Sequence, residues 1–155
     1  MSQEQRTLHG HPFFHDLEPR HLALVAGCAH EVSFSAGDYL AREGHPADHF
    51  FLLLSGGVRM ETSAPPLGVL GILSAGAGEV LGFNWIYPPY KWSFDYRATV
   101  DTRAFQMDGR CLRGEFAQDH ELGYQLMTRF SAVLGRNLDA THLQILELIH
   151  EHGTR

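Results

Sequence analysis

Gly78-Glu-Val-Leu-Gly82-Phe83-Asn84-Trp85-Ile-Tyr87-Pro88-Pro89-Tyr90-Lys-Trp92-Ser-Phe94-Asp-Tyr96-Arg97-Ala98-Thr99-Val100 is the stretch around which the rest of the chain arranges itself. A short apolar strand, Val80-Leu81, runs into Gly82, where a backbone can approach a bound molecule closely and leave amides free. A connection follows with five aromatics, Trp85, Tyr87, Tyr90, Trp92 and Phe94, around the stiff Pro88-Pro89 pair, and the chain resumes as a strand over Tyr96 to Phe105. Strand, glycine turn, irregular loop and strand together make a cradle for a small anionic or aromatic molecule. The rings have two readings: they stack on a flat ligand, or they fill the space themselves as a packed plug.

Upstream, short β-favouring runs follow one another: Val32 and Phe34, Tyr39-Leu40, Phe50 to Leu54, Val58 and Met60, and Val69 to Leu73. Glycines punctuate them at Gly37, Gly44, Gly56-Gly57, Gly68, Gly71, Gly76 and Gly78. Short strands with glycine turns at about 8–12-residue spacing indicate an antiparallel sandwich or barrel, with a hairpin loop at Ser63 to Pro66. Before them, Asp16 to Leu22 carries an acidic start, a first-turn proline and the apolar stripe Leu22, Val25, Ala26, which predicts a short helix ending at Gly27 or near His30. Residues 1–10 are mostly polar and are expected to be a flexible N-terminus, with one domain over 11–155.

Beyond a turn at Asp108 to Arg110, a helix is expected over Arg113 to Asp119 and a long one over about 120–150. Within it Met127, Leu134, Leu138, Thr141, Ile145 and Leu148 fall at steps of seven, then alternately four and three, a seam of period 3.5. Such a seam predicts a homodimer through roughly Leu122 to His150, with packing against the protein's own sheet as the alternative. The fold class is α+β: an antiparallel β-roll or jelly-roll sandwich flanked by a short N-terminal helix and a long C-terminal dimerisation helix.

Composition limits function. With 155 residues, 44% of them hydrophobic, the chain fits one domain. The formal charge of −6, and 12 Lys and Arg of which no two are adjacent, oppose a surface for nucleic-acid phosphates. No apolar run reaches the roughly 18 to 20 residues that span a bilayer, and the polar start is no signal peptide, so the expected compartment is the cytoplasm. Cys28 and Cys111 form no disulfide framework and are expected as reduced thiols. Among the 11 histidines, His9, His11 and His15, or His150 and His152, have spacings a metal accepts, but no cysteine or carboxylate stands at matching spacing, so no metal site is expected. His45 and His49 lack the histidine-glutamate pattern of metal-binding β-barrel enzymes, and no nucleophile elbow or phosphate loop is present; the chain is not expected to be an enzyme.

The markers Phe34-Ser-Ala-Gly37-Asp-Tyr-Leu40, Glu43-Gly44, Phe50 to Val58, Gly78 to Gly82 and Arg97 to Val100, in this order before a long helix, resemble the cyclic-nucleotide-binding domain of catabolite activators and protein-kinase regulatory subunits. The resemblance covers roughly Pro12 to Leu148. It implies a regulatory module whose ligand sets the C-terminal helix, and a cyclic nucleotide as the ligand. Arg136 to His142 is similar to the activators' dimer helix, where a threonine reaches the adenine, which brings in Thr141. Two positions depart from the pattern. Phe83 stands where the family has a ribose-binding glutamate, and Tyr96 stands where it has the phosphate-binding arginine, with Arg97 one step along. Strand alternation turns Arg97 away from the cradle unless a bulge restores it.

The candidate ligand contacts are therefore Gly82, Phe83, Asn84, Trp85, Tyr96, Arg97, Ala98, Thr99 and Thr141. Relatives among transcription factors continue into a helix-turn-helix where this chain ends at Arg155, so direct DNA binding is not expected. The expected function is a stand-alone sensory module binding a cyclic nucleotide or another small molecule. The alternative is a ligand-independent module whose aromatic loop and helix dock a protein partner.

Overall fold

The computed structural model describes residues 3–153, except for the side chain of His152. Its elements are α1 (Gln3–Gly10), a 3-10 turn (Pro12–Phe14), α2 (Pro19–Ala26), β1 (Ala29–Phe34), β2 (Tyr39–Ala41), β3 (His49–Ser55) and β4 (Gly57–Ser63). They continue with β5 (Val69–Gly76), β6 (Val80–Leu81), β7 (Asp95–Ala98), β8 (Thr102–Asp108), α3 (Gly109–Gln118) and α4 (His120–Gly153). Two antiparallel sheets, ordered β1-β8-β3-β6 and β2-β7-β4-β5, make the roll.

Strand β3 explains the layering. Its side chains alternate faces, so an unbroken apolar run feeds two cores at once. Phe50 and Leu52 pack with Leu8, Leu22, Leu112, Leu122, Leu126 and Phe130 from the helices. Phe51 and Leu53 point the other way, to Val58, Trp92, Tyr96 and Ala104 between the sheets. The first sheet is thus the middle of three layers, with the helices outside it and the second sheet opposite.

Several sequence expectations are corrected. The strand expected over Tyr96 to Phe105 is two strands in different sheets. The chain changes layer at Thr99 to Asp101, where Thr102 donates to the Val100 carbonyl at 2.8 Å and accepts from the Gly57 amide at 3.2 Å. The start expected to be flexible is helical from Gln3, because Leu8 on α1 is fully buried in the core beside the helices. The expected turn at Asp108 to Arg110 is the beginning of α3, capped by the Asp108 carboxylate accepting from Cys111 N–H at 3.0 Å.

The cysteines are not free thiols. Cys28 and Cys111 form a disulfide with Cα atoms 5.7 Å apart. The pairing follows from the sheet register: Ala29 stands opposite Met107, and Asp108 N–H donates to the Cys28 carbonyl at 2.8 Å, which brings the first turn of α3 beside Cys28. That proximity arises across 83 residues of chain, which residue spacing alone does not reveal.

Candidate ligand cavity

A cavity of about 520 Å³ lies between the roll and α4, within the usual size range for small organic ligands. Strands β4 and β5 supply Val58, Met60, Leu73, Ser74 and Ala75, and the turn from Gly78 to Gly82 supplies its floor with Tyr96. Pro12 and Phe13 close one flank. The remaining wall is helical: Val133, Arg136, Asn137 and Ala140 stand at i, i+3, i+4 and i+7, one stripe of α4.

Of the residues singled out from sequence, Gly82 and Tyr96 line this cavity. Gly82 has φ +98°, and a Cβ there would lie 2.8 Å from the Trp92 ring, so only glycine fits. Tyr96 is buried and meets Trp92 edge to face at 5.3 Å. Burial, helped by Tyr87, raises the pKa of its phenol well above the ordinary value, which keeps it neutral.

The other candidates do not line the cavity. Phe83 stacks on Tyr87 at 6.3 Å. Asn84 donates to Ser93 Oγ at 2.9 Å and ties the two ends of the aromatic loop together. Trp85 is fully buried, stacked on Phe50 at 4.9 Å and edge-on to Phe130 at 5.3 Å, so it joins roll to helices as core. Trp92 likewise stacks on Phe51 at 6.3 Å. None of the five loop aromatics faces the cavity; Trp85 and Trp92 fill the two cores. Ala98 and Thr99 lie at the far end of β7, tied to Asp38 and Gly57 by backbone bonds of 2.8 and 3.0 Å. Thr141 lies one step past the cavity stripe, its hydroxyl donating to the Asn137 carbonyl at 2.8 Å.

Arg97 points out of the opposite face of its sheet. It stands in register with Arg59 and Tyr39, while its neighbour Tyr96 pairs with Met60 on the cavity side. Its guanidinium donates to Glu61 Oε1 through Nε at 3.0 Å and Nη2 at 2.9 Å. The β2–β7 ladder is irregular between Tyr39 and Ala41, but that irregularity does not return Arg97 to the cavity.

The stripe on α4 was missed from sequence. The seam of period 3.5 drew attention to the neighbouring face, although Val133, Arg136, Asn137 and Ala140 keep helical spacing.

The histidine expectations find these places. Both His11 nitrogens are engaged, one with the Leu53 carbonyl at 3.1 Å and the other accepting from Phe13 N–H at 3.2 Å. The pair His150 and His152 falls partly outside the described residues. Ligand-type atoms of Glu18, His21 and Glu121 lie within 4.8 Å of one another. Arg20 already sits among them, 2.9 Å from His21 Nε2 and 3.4 Å from Glu121.

Residues 31–119 match the sequence profile of the cyclic nucleotide-binding domain. The chain belongs to the cyclic nucleotide-binding domain family. It is 27% identical over 136 residues to a CRP-like cAMP-activated global transcriptional regulator of Mycobacterium tuberculosis, across 88% of this chain and 59% of that protein. The chain therefore spans less than two thirds of the curated relatives it matches. A Geobacter metallireducens protein read as cyclic nucleotide-binding superposes with TM-score 0.78 at 29% identity, over 89% of this chain and 99% of its own. A cyclic nucleotide-binding domain from Methylobacillus flagellatus superposes with TM-score 0.82 at 19% identity, covering 93% and 84% of the two chains, which establishes the shared fold. Among the described residues no helix is long and apolar enough to cross a membrane.

Proposed function

We propose that this family member is a sensory module: a small ligand enters the cavity between roll and α4, and its presence is read out as a change in the setting of α4. One observation carries the reading: four α4 residues form a wall of the cavity, so a ligand there touches the helix directly. Occupancy then shifts the helix by the difference in its contacts between two settings. We assign no catalytic step to the site. A homodimer through the outer half of α4 supplies the receiver of the signal, supported by its exposed Leu138, Ile145 and Leu148.

The test is a thermal-shift screen of small metabolites, with cyclic AMP and cyclic GMP included, followed by hydrogen exchange on any stabilising compound. The expected result is slower exchange at Val58 to Met60 and Leu73 to Ala75 with altered protection along α4, all lost in Ala75→Trp, which fills the cavity. A second reading, a ligand-independent docking module, draws support from Trp85 and Trp92 already buried as core, from the exposed Tyr87 and from the apolar surface of α4. It predicts an empty screen and an Ala75→Trp protein that still captures its partner.

A further inference from the structure

The two sides of the cavity differ in charge. On the roll side Leu81, Gly82 and Tyr96 line it, and among the described residues no Lys or Arg of the roll does: Arg97 is held on the opposite face by Glu61 at 2.9 Å. An anion placed there would be taken out of water with no charged partner. On the helical side stand the Arg136 guanidinium and the Asn137 carboxamide. Among the described residues neither side chain has a hydrogen bond or ion pair, and Arg136 is exposed enough to turn toward a ligand. Glu79 is the one carboxylate on the lining, and its Oε2 accepts from Gly76 N–H at 2.5 Å.

Taking the cavity as the ligand site proposed above, we infer that its ligand is a small organic monoanion, an apolar body bearing one carboxylate, which enters apolar end first and leaves its carboxylate on Arg136 and Asn137. The planar guanidinium offers a carboxylate two parallel N–H donors, and the carboxamide adds a third. The body then lies against Val58, Met60 and Leu73, where burial of apolar surface drives binding. A cyclic nucleotide is the poorer match: polar side chains on the roll side of the lining are few, chiefly Ser74 and Glu79, so its ribose hydroxyl and base edges would set several polar atoms against Val58, Met60 and Leu73. Recognition through Arg136 also places the charge of the ligand on α4, the element proposed to respond.

Calorimetric titration of the full chain tests this, using acetate, phenylacetate, indole-3-acetate and decanoate, each beside its neutral primary amide, together with cyclic AMP and cyclic GMP. Affinity is expected to rise from acetate to the bulkier acids, and the amides are expected to bind about tenfold or more weakly. Arg136→Gln is expected to cost the acids about tenfold or more and the amides little, while Arg136→Lys retains part of the affinity. Amides that bind as well as acids overturn the inference, as does full affinity in Arg136→Gln. Cyclic nucleotide binding that is lost in Ala75→Trp also overturns it, yet leaves the cavity a ligand site. No binding by any of these compounds overturns it too, and the metabolite screen then decides separately whether the cavity takes a ligand at all.

Discussion

Glu61 is a carboxylate with 1% of its side chain exposed, and its charged partner is Arg97, 39% exposed at the sheet surface. The pair is a structural clasp: it draws the arginine next to the cavity strand onto the outer face. Removing the guanidinium leaves a buried carboxylate uncompensated, and the partial access of water through the Arg97 side softens the loss. Arg97→Ala is expected to lower stability by about 2–3 kcal/mol in urea unfolding, whereas the double variant Glu61→Gln with Arg97→Gln is expected to recover most of it. His11 is a second residue whose environment has a measurable sign. Burial holds its pKa below the ordinary 6.5, against a smaller opposing effect of the Leu53 carbonyl. The neutral ring is needed, because Nδ1 accepts from Phe13 N–H. In the unfolded chain the imidazole binds protons at higher pH than in the folded one, so stability is complete above about pH 6.5 and declines as pH falls through the folded value. Melting temperature followed downward from neutral pH is expected to fall less steeply in His11→Asn than in the wild type.

At the scale of elements, α4 has two lives. Its first turns bury Leu122, Leu126 and Phe130 in the core beside α3, and its later turns leave Leu138 68% and Ile145 50% exposed. Gln144 donates to the Ile72 carbonyl and pins this later part to β5 beside the cavity. An apolar stripe held out from the body in this way fits a second copy of the helix. Sedimentation is expected to give a dimer for the wild type and a monomer for Leu138→Glu combined with Ile145→Glu, with the helical content of the roll-proximal turns retained. A monomeric wild type would remove the dimer from the proposed function. The long helix α4 and the buried strand β3 were legible in the sequence, since helical periodicity past His120 and the continuous run Phe50 to Leu54 are local patterns with direct physical causes. The turn of Arg97 was only half legible: strand alternation pointed it outward, but a bulge could have returned it to the cradle, and only the pairing with Arg59 and Tyr39 settles its face. The fate of the aromatic loop was not legible. Whether Trp85 wets a pocket or fills a core depends on Phe50 and Phe130, which stand 35 residues before it and 45 after it in the chain.

For the whole molecule, the Cys28–Cys111 disulfide closes a loop that contains the entire roll, and it joins the α2 end of the chain to the root of the helix pair α3 and α4. Its position could not be read from two cysteines far apart in sequence, because only the β1–β8 register brings them together. A crosslink across 83 residues removes many unfolded conformations, and loop-closure entropy puts the corresponding stabilisation at about 2–5 kcal/mol. The bond contributes nothing to the lining of the cavity, which lies against β4, β5 and the middle of α4. Stability and ligand affinity should therefore separate. Under reducing conditions, or in the double variant Cys28→Ala with Cys111→Ala, the melting temperature is expected to drop by several degrees, on the order of 2–4 °C for each kcal/mol lost. Ligand affinity measured well below that temperature is expected to stay within about twofold, since sites far apart without shared partners behave additively. A large fall in affinity on reduction would mean that the root of α4 and its cavity stripe move together, and that the disulfide sets the position of the responding helix as well as the stability of the fold.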